Sequence, residues 1–579
     1  MRDITRPEVW APDADMVEVV VDDAETIMAR GDDGWWWSEP LPPGTLYQFR
    51  IDGGMLLPDP RSLSQPDGPH GPSRIVDPAL FDRPATFSTD LRGAVGYELH
   101  IGTFTPEGTF EAAITRLDHL VNLGVQAVEV MPVADFPGEQ GWGYDGVGQY
   151  AVHAAYGGPE GFVAFIDACH ARGLGVILDV VHNHQGPEGN YLAQFGPYFT
   201  SAHHTPWGDA INLDQPGSSE VRDFLLGACR QWLVKYQVDG LRLDAVHEFQ
   251  DDSPRHYLAE LSDETRAWER ETGREFTLFA ESDRNQPTTV SPVGSVPGAL
   301  GMDGQWADDI HHALHSFFTG ERDGYYIDFG TAEVLQQALT RVFIHEGGFS
   351  TFRGQDWGAP VDPTSELYDG HSFVASLQNH DQVGNRAVGD RISHSIPLDC
   401  QAAAAALYLL SPFTPLIFMG EEWAASTPFP FFSHLGPDLG PLVTEGRARE
   451  FERMGWDAEI IPDPQSPATR ESATLRWDEI TEPDHARMLA WYQELLRLRR
   501  DRPELASGSL AEVSVEVLDE DTVLMRRGTT VVATTRAQDR LVEIPVEGKV
   551  LAAWGEHGPV PEGHAVTGPG ALVIDINVD

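Results

Sequence analysis

GVILDVV (175–181) is, Asp179 apart, apolar on consecutive positions, where a strand with one wet face would alternate. It follows a segment in which Phe162, Phe165, Ile166 and Cys169 recur at helical spacing and which ends near Gly173. The same order recurs on either side. Upstream, Phe110, Ala113, Ile114, Leu117 and Val121 predict one helix from Thr109 to Gly124, followed by QAVEVMPV (126–133). Downstream, Val221, Phe224, Leu225, Ala228 and Trp232 predict a helix ahead of VDGLRLDAV (238–246). Strands that are apolar throughout and alternate with amphipathic helices imply a parallel sheet covered on both faces.

Further strands are expected at 95–101, 276–281, 372–378 and 414–419, with a sixth somewhere in 303–345. Seven or eight such units favour an α/β fold of the (β/α)8 TIM-barrel type over an open sheet, occupying 91–505. The flanks have another rhythm. MVEVVVDD (16–23), WWW (35–37) and LYQFRIDGG (46–54), broken by Gly, Pro and Asp, predict an N-terminal β-sandwich over 1–90. Beyond the helical MLAWYQELLRLRR (488–500), the runs VSVEVL, TVLMRR, TVVATT, VEIPV and ALVIDI predict a C-terminal antiparallel β domain over 506–579.

Acidic side chains outnumber basic ones 90 to 39, a formal charge of −51, which argues against nucleic acid or an anionic membrane as partner. Only Lys235 and Lys549 are lysines, so nearly all positive charge is arginine. Cys169, Cys229 and Cys400 are too few and too scattered for a disulfide framework or a zinc site. No basic-then-apolar leader and no run approaching ~18 apolar residues is present, so a reduced, cytoplasmic setting is expected.

Active sites of parallel barrels lie at the carboxyl ends of the strands, which makes the polar residues ending each apolar run informative. Asp179, Asn183 and His184 follow one run, Arg242 and Asp244 another, Glu281 a third, and His380, Asp381 and Arg386 a fourth. Side chains alternate along a strand, so Arg242 and Asp244 share a face. A guanidinium beside a carboxylate favours its ionised form, as a nucleophile requires. Glu281, after LFA, is expected in a drier place that raises its carboxyl and suits a general acid. That pairing is what breaking a glycosidic bond needs. Each feature alone has a plainer reading: an Asp–Arg pair is usually structural, and DVVHNH fits a stapled loop or a metal site. Their joint appearance, in order, carries the functional reading.

DVVHNH (179–184), GLRLDAVH (240–247), the Glu of FAES (279–282) and QNHDQ (378–382) resemble, in order, the four signature segments of the alpha-amylase family of glycoside hydrolases. The resemblance covers nearly the whole chain. It implies Asp244 as nucleophile, Glu281 as general acid/base and Asp381 as transition-state stabiliser. It implies that Arg242, His184 and His380 bind the sugar at the cleavage point, that Tyr144 of WGYDGVGQY stacks on it, and that His247 serves a subsite. Val246 stands where a lysine often precedes that histidine, so the leaving-group side is expected to differ from amylases. Asn183 matches a calcium-binding asparagine of some members, but its companions are not identifiable, and no obligatory metal or other cofactor is expected.

LPDPRSLSQPDGPHGPS (57–73), GPEGNYLAQFGPYFT (186–200), TPWGDAINLD (205–214) and MGEEWAASTPFPFF (419–432) resemble one subfamily, the maltooligosyltrehalose trehalohydrolases. The likeness implies cleavage of the α-1,4 bond beside a terminal trehalose, with maltooligosyltrehalose synthase as the pathway partner that makes the substrate. A 1,4-α-glucan branching enzyme or a general α-1,4-glucan hydrolase is the nearest alternative, and a non-catalytic glycan-binding protein a more distant one.

Overall fold

The computed structural model describes residues 2–85, 87–453 and 460–577. Eight parallel strands close into a barrel: β1 (Gly96–Leu99), β2 (Ala127–Val130), β3 (Gly175–Val180), β4 (Gly240–Leu243), β5 (Thr277–Glu281), β6 (Gly304–Trp306), β7 (Phe373–Ser376) and β8 (Thr414–Phe418). They pair in sequence order, and β8 returns to β1 with Leu416, Ile417 and Phe418 opposite Gly96, Tyr97 and Glu98. Every strand residue is buried except Glu281, at the carboxyl end of β5, which is half-buried.

Helices cover the outside. Gly158–His170 buries Phe162, Phe165, Ile166 and Cys169 ahead of β3, and Ser218–Arg230 buries Val221, Phe224, Leu225 and Ala228 ahead of β4. The expected sixth strand is Gly304–Trp306, three residues long and too short to leave a periodic signal.

One helix departs from the sequence reading. The stretch 109–124 forms two short helices, Phe110–Ile114 and Leu117–Leu123. At the break, the Thr115 hydroxyl donates back to the Ala112 carbonyl at 2.6 Å, competing with helix continuation. The second helix turns a different face inward: Leu120 and Leu123 are buried, while Val121 is 41% exposed.

Two antiparallel sheets form the N-terminal region. One joins Glu8–Trp10, Trp35–Trp37 and Ala29–Arg30; the other is built around Val17–Val21 and Leu46–Ile51. At the C-terminal end, a six-stranded antiparallel sheet follows helix Pro483–Asp501. There TVVATT and the first three residues of VEIPV belong to one strand, Thr530–Ile544, whose register against Gly563–Asp575 shifts between Thr535 and Arg540. Lys549–Trp554 and His557–Val560, not expected from the sequence, complete it.

Candidate active site

Arg242 organises the mouth of the barrel. Leu241 and Leu243 point away into the apolar layer, leaving Arg242, fully buried, to face inward from β4. Its Nη1 lies 2.8 Å from Asp179 Oδ2 at the end of β3 and 2.9 Å from Asp244 Oδ1. Its Nη2 lies 2.8 Å from Glu281 Oε2. The guanidinium also sits 4.3 Å from the ring centre of Trp306, on β6. One buried cation therefore holds three carboxylates from three successive strands.

The chain turns sharply after Asp244. Ala245 has φ 37° and ψ 53°, the left-handed region that a non-glycine residue avoids, and its N–H donates to Glu281 Oε2 at 2.8 Å. Tyr144 donates its hydroxyl to Asp179 at 2.6 Å and stacks on His380, with ring centres 5.0 Å apart and planes 19° from parallel. His380 Nδ1–H donates to Glu98 Oε1 at 2.5 Å, its backbone N–H donates to Glu98 Oε2 at 3.0 Å, and its Nε2 lies 3.6 Å from Asp381 Oδ1. Tyr144, Arg242, Asp244, Glu281, His380 and Asp381 are thus brought together.

Two candidates remain, His184 and His247. His184 donates from Nε2 to the Tyr144 carbonyl at 3.0 Å and lies flat on Trp207, ring centres 4.3 Å apart. Burial pushes its imidazole down to about 4, so it is neutral near pH 7. His247 is half-buried, 4.0 Å from carboxylate oxygens of both Glu248 and Asp283, and its carbonyl accepts from Arg284.

The electrostatics reverse the expectation for the two central carboxyls. Burial and the charge of Glu281 raise Asp244 well above the usual carboxylate range, despite Arg242. Burial alone would raise Glu281 too, but Arg242 and the Ala245 amide outweigh it and hold Glu281 below its ordinary value. Arg242 reaches both groups equally closely, so it does not discriminate between them; the extra amide goes to Glu281, while Asp244 shares its cation with Asp179. Asp381 is also raised by burial, against the charge of His380. His380 is pushed up to about 9: burial opposes its charge, but Glu98 and Asp381 more than offset that.

A catalytic-domain model of the alpha-amylase family matches residues 73–205. A malto-oligosyltrehalose trehalohydrolase from Arthrobacter ramosus is 46% identical, with 98% of each chain covered. The chain belongs to the malto-oligosyltrehalose trehalohydrolase family. A trehalohydrolase from Deinococcus radiodurans is 42% identical over 86% of this chain and 82% of its own. The crystal structure of a putative alpha amylase from Salmonella typhimurium superposes with a TM-score of 0.89 at 38% identity, covering 98% of this chain and 97% of that one. As a trehalohydrolase-family member, the chain is a glycosidase of the alpha-amylase class.

Glu98 and Trp306 complete this site and were not singled out from the sequence. Glu98 interrupts the apolar run GYELH, and Glu129 interrupts QAVEV; the two are register partners on β1 and β2, and both are buried. An acid inside an apolar barrel strand is itself a signal, because the interior tolerates it only beside a cation or a proton. Trp306 lies on the short β6, which had no periodicity to reveal it. Asn183 is buried, with neither side-chain Nδ2 nor Oδ1 bonded among the described residues. The group His203, Asp214 and Asp252, whose ligand atoms lie within 4.8 Å of one another, does not include it.

Proposed function

We propose that the chain hydrolyses the α-1,4-glucosidic bond adjacent to the terminal trehalose of maltooligosyltrehalose, releasing trehalose and a shortened maltooligosaccharide. Near-full-length identity to proteins bearing the trehalohydrolase name supports the substrate. The observation that carries the chemistry is the sharing of one buried guanidinium by Asp244 and Glu281.

In this reading Asp244 attacks the anomeric carbon while Glu281 gives its proton to the glycosidic oxygen, and trehalose leaves. Glu281, now ionised, removes a proton from water, which displaces Asp244 and regenerates both groups. Asp381, beside charged His380, faces the positive charge that develops on the sugar ring. Tyr144, His184, Arg242 and His380 hold that sugar, and His247 lies toward the leaving group. Coupled carboxyls titrate together, so the raising of Asp244 and the lowering of Glu281 in the free site belong to the pair. A substrate oxygen that draws Glu281 away from Arg242 and the Ala245 amide removes the contacts keeping it ionised. Burial then raises Glu281 and leaves Asp244 to the cation.

No helix among the described residues is long and apolar enough to cross a membrane. A cytoplasmic location, and supply of the substrate by maltooligosyltrehalose synthase, belong to the same proposal. Incubation with maltotriosyltrehalose and separately with maltopentaose tests it. Rapid release of free trehalose from the first, with the second cut slowly, is expected. Comparable cleavage of both points to a general α-1,4-hydrolase, and longer or branched products to a transferase.

A further inference from the structure

A cavity lined by none of the barrel-mouth residues lies where the N-terminal segment and the loop 58–65 meet the helix Ser218–Arg230. Its volume is about 230 Å³. In a chain with more than twice as many acids as bases, its wall carries six cations: Arg2, Arg6, Arg61, Arg74, Arg230 and Lys235. Four carboxylates also line it, namely Asp3, Glu8, Asp59 and Asp223.

The cations are not used up by these neighbours. Arg74 pairs with Glu160 and Arg230 with Glu271, both outside the lining, and Arg2 lies 3.4 Å from Glu8. Among the described residues, no carboxylate lies within ion-pair distance of Arg6, Arg61 or Lys235. Arg61 is the most telling. Its guanidinium lies over the rings of Trp35, Tyr150 and Phe224, and its Nη1 donates to the Tyr150 hydroxyl, while Nη2 is buried with no hydrogen-bond partner among the described residues, as is Nε of Arg230. A buried unpaired guanidinium N–H is costly unless something accepts from it.

The backbone is arranged around these groups. Gly227 stands within a helix, where glycine is less favourable than alanine. A Cβ there would lie 2.4 Å from the Tyr150 hydroxyl and 3.2 Å from Arg61 Nη1, so the helix forgoes a side chain to admit them. Immediately beyond, Gln231–Tyr236 continue as a π-helix, a geometry enriched at functional sites, and Lys235, one of only two lysines, lies on it.

We infer that this cavity binds a small phosphate-bearing molecule, held chiefly by Arg61 and Lys235. Guanidinium and ammonium donors arriving from separate elements suit a tetrahedral dianion with several acceptor oxygens. The volume falls below the ~300–1,000 Å³ typical of sites for drug-sized ligands, so the occupant is inorganic phosphate or the phosphate ester of a single sugar. Bound there, it ties the N-terminal segment, the loop 58–65 and the helix 218–236 together.

Calorimetric titration of the full chain with sodium phosphate and, separately, with glucose 6-phosphate tests this, at ionic strength held constant with chloride. Saturable binding of at least one is expected, weakened about tenfold or more in both Arg61→Gln and Lys235→Gln. Tighter binding of the ester identifies a sugar phosphate, and equal binding identifies phosphate itself. Oligosaccharide hydrolysis by each variant, at the unmodified rate, reports that it has folded. If Arg61→Gln does not fold, Lys235→Gln decides alone. Absence of saturable heat with either anion, or affinities unchanged in the folded variants, overturns the assignment.

Discussion

The backbone N–H of Ala245 donates to the Glu281 carboxylate at 2.8 Å from a left-handed conformation, φ 37°. The residue after Asp244 thus accepts strain of about 1–2 kcal/mol to aim an amide at Glu281. Glycine adopts this conformation freely but costs ~0.5–1 kcal/mol more in unfolded-chain entropy. Ala245→Gly is therefore expected to raise stability by up to about 1 kcal/mol while kcat changes less than about twofold, since the amide is retained. Denaturant titration with parallel kinetics checks this. A lower midpoint in the glycine variant would show that the strain at Ala245 is smaller than glycine's entropic cost.

Asp244→Asn removes the proposed nucleophile with little change of shape. Turnover is expected to fall by four or more orders of magnitude, a loss of about 5–6 kcal/mol of transition-state stabilisation. The melting temperature should not fall, because Asp244 and Glu281 disfavour each other's charge in the folded state. Residual activity within a hundredfold of the unmodified enzyme would mean that another group attacks the sugar. The same double displacement requires the released maltooligosaccharide to appear first as its α-anomer, and proton NMR of the fresh product would expose an inverting enzyme by a β signal.

His380 gives a pH signature. Its folded value, about 9, lies above the ~6.5 of an exposed histidine, so its contribution to stability is full below pH ~6.5 and is lost as pH rises through ~9. The shift corresponds to about 3 kcal/mol across that window, held by Glu98 and Asp381. His380→Gln should be less stable at pH 6 and should flatten the decline between pH 6.5 and 9. Parallel stability curves for the two proteins over that range would place the charge elsewhere.

How much of this was legible in the sequence follows from what each signal is made of. Seven strands were long enough for an apolar run to mark them, and alternation alone put Arg242 and Asp244 on one face. β6 has three residues and Trp306 went unnoticed with it. Val121 was misplaced because periodicity assumes a continuous helix, and a hydroxyl–carbonyl bond at Thr115 breaks it. The directions of the Asp244 and Glu281 shifts depart from the sequence expectation for a different reason. Sequence neighbours put the cation of Arg242 beside Asp244, whereas the fold brings its other nitrogen equally close to Glu281 and adds an amide that no pattern records.

Arg242→Gln tests the electrostatic core directly. It leaves Asp179, Asp244 and Glu281 without their common cation, and breaking a buried pair in this way costs about 3–5 kcal/mol. Asp179 and Asp244 are already raised from their ordinary values, and without the guanidinium they rise further. A carboxyl whose folded value is raised binds more protons folded than unfolded, so its destabilising effect fades as pH falls. The variant should accordingly recover part of its lost stability on going from pH 7 to pH 5, relative to the unmodified protein. Urea unfolding at both pH values reads the difference. A loss below about 1 kcal/mol, or one of the same size at both pH values, would mean that the three carboxylates do not depend on Arg242 for their charge.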